Sequence, residues 1–182
     1  MMETPLRTGD RETHARRWRL AGAALIGVML VYFVVTNHVD LYPWNNLDAA
    51  GNQWPSTLVG LIPFSIYAVA FAVGIRWLML VGMVHSYIWL ALQIRQWWVP
   101  YLFGATPLHR DLSWYAAGGY TETLRILPLI GDRPAPDAQH LVLELISLGV
   151  VLVTTVAVCL VFPRTAVRSS GALLSAKSYI EG

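Results

Sequence analysis

His140, Glu144, Ser147, Val151 and Thr154 follow one another at intervals of four, three, four and three residues. That spacing places all five on one face of an α-helix. The residues between them are mostly Leu, Ile and Val, so the polar stripe is expected to point toward neighbouring helices and not toward lipid. An imidazole and a carboxylate one turn apart can share proton transfer or ligate a metal. Asp137 stands three residues before His140 and adds a second carboxylate, or serves as the N-cap of the helix. These three residues are the candidate catalytic or metal-binding set. Glu144 sits about two turns past the helix start, roughly 10 Å along the axis, where an unpaired carboxylate is costly. A structural ion pair with Arg95 answers that cost equally well, and it is the reading favoured here.

His85, within Met83-Val84-His85-Ser86-Tyr87, is a candidate haem or metal ligand, or a histidine hydrogen-bonded inside the protein. A haem held between helices calls for two histidines at matching depth, and His85 and His140 do not match. Arg95 either pairs with Glu144 or meets an anionic headgroup. Further carboxylates and imidazoles lie outside the apolar stretches: His38, Asp40 and Asp48, then His109, Asp111, Glu122 and Asp132. Their spacing fits no HExxH or paired CxxC site, and no phosphate loop, GxSxG elbow or kinase signature occurs. No cofactor is implied by a motif. Cys159, the one cysteine, cannot form an intramolecular disulfide and is expected to be a small buried hydrophobe.

The elements that must position these residues are long and apolar. Hydrophobic residues make up 55% of the 182-residue chain, charged residues only 13%, and the mean hydropathy is +0.49. A soluble domain carries about 25% charge. Four stretches, at about residues 20–37, 57–74, 77–98 and 138–162, reach or approach the length needed to cross roughly 30 Å of hydrocarbon. In lipid a segment must satisfy its own backbone hydrogen bonds, which predicts helices. The expected fold is an all-α integral membrane protein, a four-transmembrane-helix bundle. A basic N-terminal segment (1–19) precedes it and a tail (163–182) follows. The first stretch follows Arg16-Arg17-Trp18-Arg19 and lacks a small-x-small cleavage site, which predicts a retained signal-anchor.

The arginines sort to alternate sides of these stretches. The N-terminal cluster, Arg76, and Arg164, Arg168 and Lys177 fall on one side, and the first loop (38–56) holds no Lys or Arg. The termini are therefore expected to be cytoplasmic, although the other long loop (99–137) carries Arg110, Arg125 and Arg133. Within that loop, Leu112, Tyr115, Ala116, Tyr120, Leu124 and Leu127 recur near helical spacing. They predict an amphipathic helix in the membrane interface, weakened at Gly118-Gly119. The two outer loops would form a cap over the bundle.

A net charge of +2 gives no reason to expect nucleic acid. The expected partners are the lipid bilayer and a membrane protein or a second copy of the chain. The function read from these features is non-enzymatic: an accessory protein that binds a partner or lipid through its outer cap. A small membrane-embedded enzyme acting on a lipidic substrate through His140 and Glu144 is the alternative. A transporter or channel subunit ranks third, since one helix alone has a polar stripe and the halves do not mirror each other.

Overall fold

The computed structural model describes residues 8–104 and 111–162. Among these, every regular element is a helix: α1 (Thr8–His38), α2 (Leu47–Ala50), α3 (Trp54–Val73), α4 (Arg76–Gln93), a π-helical turn (Ile94–Trp98), α5 (Val99–Phe103), α6 (Leu112–Ala117) and α7 (Ala138–Val161). Four helical segments are long and apolar enough to cross a membrane: those built on α1, α3, α7 and the run from Arg76 to Phe103. The class is that of a multi-pass membrane protein. The C-terminal tail, His109 and Arg110 lie outside the described residues.

Around the bundle, α1 packs on α3 and α7, while α4 packs on α7 and α3. The core draws on all four: Ile26, Met29 and Leu30 from α1, Phe64 and Phe71 from α3, Met79 from α4, and Leu143, Val150 and Val158 from α7. The outward faces are equally apolar, with Val59, Val69 and Leu145 each at least 60% exposed. In water each such side chain would forgo about 1.5–3 kcal/mol of burial; against acyl chains that loss vanishes. The polar stripe of α7 points inward, with Glu144, Ser147, Val151 and Thr154 all buried. Cys159 departs from expectation. It is exposed on the outer face, because the inward positions of α7 near it are taken by Ala157 and Val158.

Helix α1 starts well before the apolar pattern does. Residues 10–19 carry charges but no proline, and Glu12 precedes Arg16 by one turn, an order that supports a helix. A helix already nucleated in the apolar segment therefore propagates outward through them. Gly74 ends α3 in the left-handed region at φ 92°, and its N–H reaches the Ala70 carbonyl at 2.7 Å. A Cβ there would also lie 1.5 Å from Nη1 of Arg19, so glycine serves both the turn and the arginine laid across it. Gly82 allows a similar close approach, since a Cβ would come within 2.8 Å of the Tyr67 ring.

The helix of the third apolar stretch does not stop at Trp98. It widens into the π-helical turn and continues to Phe103. Pro100 has no N–H to offer the carbonyls behind it, and the hydroxyl of Tyr115 donates to the Gln96 carbonyl. The amphipathic helix of the second long loop is much shorter than its spacing predicts. Asp111 caps α6 by accepting from Trp114 N–H at 3.1 Å, but the helix ends at Ala117 and Gly119 turns the chain at φ 74°. Tyr115, on its apolar side, is buried against Trp97 and Trp114. The chain beyond Gly119 carries Leu124 and Ile126 as exposed non-helical residues.

Candidate functional site

The start of α7 brings two of the three candidate residues into contact. Asp137 is the N-cap of α7 and its side chain is fully buried. Its Oδ1 accepts from His140 N–H at 2.8 Å and lies 2.7 Å from His140 Nδ1. Its Oδ2 accepts from the Thr123 hydroxyl at 3.0 Å. All of this carboxylate's partners come from α7 itself and the preceding loop. The imidazole packs at a tilt of 34° against Trp97, with ring centroids 4.0 Å apart, and is edged by Tyr120 at 5.4 Å. One ring nitrogen is thus spent on Asp137, and Nε2 has no hydrogen bond to a described residue.

Glu144 lies one turn deeper. The indole N–H of Trp98 donates to its Oε2 at 2.5 Å, and Oε1 is buried without a hydrogen-bond partner among the described residues. Trp98 lies three residues beyond Arg95 on the same π-helical turn. That turn sets adjacent tryptophans to work on successive turns of α7, Trp97 on His140 and Trp98 on Glu144. Deeper still, the Gln93 amide donates to Ser147 Oγ at 3.0 Å, while Gln93 Oε1 has no partner among the described residues.

His85 belongs to a separate cluster between α3 and α4. Its Nδ1 lies 3.1 Å from the Tyr67 hydroxyl, and its ring stacks on Phe64 at 5.1 Å. His38 lies 3.0 Å from the Thr57 hydroxyl and stacks on Trp54. Asp40 caps a turn at Tyr42 and Glu122 accepts from the Asn46 amide. Asp111 is held below its ordinary value by the Ser113 hydroxyl and then by the Trp114 amide. Among the described residues no three His, Cys, Asp or Glu side chains converge as a metal site.

The loops are stitched to the site by backbone. Leu124 N–H donates to the Pro43 carbonyl and Ala138 N–H to the Leu124 carbonyl, both at 2.7 Å. Tyr32 of α1 adds a cross-link, donating to the Gln139 carbonyl at 2.8 Å while accepting from the Trp44 indole at 3.1 Å. Asn45 is buried and gives its amide to the carbonyls of Thr36 and Val39.

These links enclose a cavity of about 160 Å³ at the loop end of the bundle. Its walls come from the last turns of α1, the first loop, the start of α3, the second long loop and the start of α7. Asn37, Asn46, Gln53, Thr123, Gln139 and His140 are among the lining residues, and no Asp, Glu, Lys or Arg is. Gln139 is 8% exposed, yet its side chain makes no hydrogen bond to a described residue. Its amide therefore opens onto the cavity, where a donor–acceptor group can bond to it. The volume holds several waters or one small polar group. Gln139 escaped the sequence reading because a glutamine beside a histidine carries no motif; only the tertiary contacts of α1 and the loops bury it.

Compared with family models, curated proteins and solved structures, the chain matches none. The class therefore rests on the four apolar helices, and the role rests on the geometry at their ends.

Proposed function

We propose that the protein is a non-enzymatic accessory protein of the cell membrane that binds a small uncharged polar group in the cavity at its loop end. The group belongs to a lipid headgroup or to a membrane partner, including a second copy of the chain. Both termini lie in the cytoplasm on this reading, because Arg11, Arg16, Arg17, Arg19 and Arg76 gather at one end and the first loop has no basic residue. The cavity then faces the other side. The observation that carries the proposal is Gln139, which lines the cavity together with His140 and has a side-chain amide with no hydrogen bond to a described residue. An amide offers donors and an acceptor, and a neutral imidazole offers one or the other according to its tautomer. Together they suit hydroxyl, amide or sugar-like groups rather than an ion. Mass spectrometry of the small molecules and lipids released from purified protein tests this: one species in near-stoichiometric amount supports it, and none opposes it.

A second reading draws on one observation, the 2.7 Å contact between His140 Nδ1 and the buried Asp137. A carboxylate in that position fixes the ring and its tautomer, leaving Nε2 able to take a proton from a hydroxyl held in the cavity. The reaction class would be proton abstraction in acyl or group transfer on a lipidic substrate. Turnover lost in His140→Asn, with binding retained, separates this reading from the first.

A further inference from the structure

At the opposite end of the bundle from that cavity, the start of α1, the α3–α4 turn and the last turn of α7 surround a cleft of about 510 Å³. Four of its lining residues are arginines: Arg11, Arg16 and Arg19 from α1, and Arg76 from α4. Among the described lining residues, Glu12 is the one acidic side chain. None of the four makes an ion pair within 4.0 Å of a carboxylate among the described residues. Arg19 lies across the α3–α4 turn: its Nη1 donates to the Val73 carbonyl at 3.3 Å, and it occupies the room that a side chain at position 74 would need. A guanidinium carries five N–H donors, so Arg19 keeps most of its donors for something else. The first turn of α4 begins at Arg76 without a side-chain cap, and its free N–H groups add positive potential. The carbonyl ends of α3 and α7 oppose this with about half a charge each, less than four guanidiniums supply.

We propose that this cleft binds a phosphate group. Planar forks match phosphate oxygens in pairs, and four of them around one concavity, with a single carboxylate among the described lining residues, call for an anionic phosphate that brings net negative charge. A neutral or zwitterionic headgroup does not supply it. Positive residues at a membrane end also set orientation, but orientation requires neither a cleft nor an arginine held across a glycine turn. The phosphate belongs to an anionic lipid headgroup or to a soluble phosphate compound, and the measurement separates the two sources.

The full-length protein is purified in a neutral detergent and titrated with phosphatidylglycerol, with phosphatidylcholine and with inorganic phosphate, and bound species are counted by native mass spectrometry. Phosphatidylglycerol is expected to bind about thirtyfold more tightly than phosphatidylcholine, from roughly two arginines engaged near the surface. Displacement by millimolar inorganic phosphate assigns the site to soluble phosphate compounds; resistance to it assigns the site to lipid. Arg16→Gln with Arg76→Gln should abolish the preference while the melting temperature holds, because neither side chain makes a hydrogen bond to a described residue. Arg16→Lys with Arg76→Lys should recover part of it, as charge without the fork. Equal binding of both lipids by the wild-type chain with no effect of phosphate overturns the proposal. So does a folded Arg16→Gln, Arg76→Gln protein that keeps the full preference. Neither result touches the Gln139 cavity, which lies at the other end of the bundle.

Discussion

Asp137 and His140 are joined twice through a single oxygen. Oδ1 of Asp137 takes the backbone N–H of His140 at 2.8 Å and stands 2.7 Å from Nδ1 of the same residue. One carboxylate thus starts the helix and orients the ring on the cavity wall. Asp137→Ala removes the cap, the ring partner and the acceptor of the Thr123 hydroxyl together, and is expected to destabilise the protein by about 2–3 kcal/mol. Asp137→Asn keeps an oxygen for the His140 N–H and should cost clearly less. Thermal unfolding in detergent measures both, and equal losses would deny that capping contributes.

The Trp98 indole and the Glu144 carboxylate are expected to be energetically coupled. Trp98→Phe strips the carboxylate of its donor at a buried position and should cost about 1.5–3 kcal/mol, the range for hydrogen bonds to charged groups. In a Glu144→Gln background the same change should cost only about 0.5–1.5 kcal/mol, since the acceptor is then neutral. The difference is the coupling term of a double-mutant cycle. Glu144→Gln alone should raise stability, because Oε1 has no partner among the described residues and the amide carries no charge to desolvate. Strictly additive costs would show that the 2.5 Å contact is not an energetic link. Loss of a defined activity in a stable Glu144→Gln protein would favour the enzyme reading instead.

Orientation is open to thiol labelling on a Cys159→Ser background. Cysteines introduced at Asn46 and Thr121 should react with an impermeant reagent in intact cells, and cysteines at Thr8 and Ser175 only after permeabilisation. The arginine distribution about the helix ends motivates this order. The reverse pattern would place the cavity in the cytoplasm and the arginine cleft outside.

Much of the fold is legible along the chain because lipid imposes a simple rule, and the four apolar runs obey it. The inward stripe of α7 is legible for the same reason: His140, Glu144, Ser147 and Thr154 repeat at helical spacing among Leu, Ile and Val. What fails is what depends on distant partners. The periodicity from Leu112 to Leu127 suggested one helix, but Gly118-Gly119 ends it and Tyr115 turns its apolar side into the protein, toward Trp97. The Trp98 contact to Glu144 carries no signal in the sequence, because a π-helical turn, invisible in composition, brings the indole to the carboxylate. Gln139 had no signal at all, since its burial is produced by Tyr32, Trp44 and the loop backbone arriving from elsewhere.

We propose that a small polar group is held in the loop-end cavity through Gln139. The most direct measurement compares the small molecules and lipids released from wild-type protein with those from Gln139→Leu, purified identically and matched for melting temperature. Leucine keeps an apolar bulk near that of glutamine and removes every hydrogen-bonding atom. Ala50→Trp, which fills the cavity from the α2 side, serves as an independent block. A species present at about one per chain in the wild type should fall about tenfold or more in Gln139→Leu, as expected when a buried donor–acceptor group loses its partner, and should be missing from Ala50→Trp. Identical released species in all three folded proteins, or none in the wild type, would show that Gln139 holds no such group.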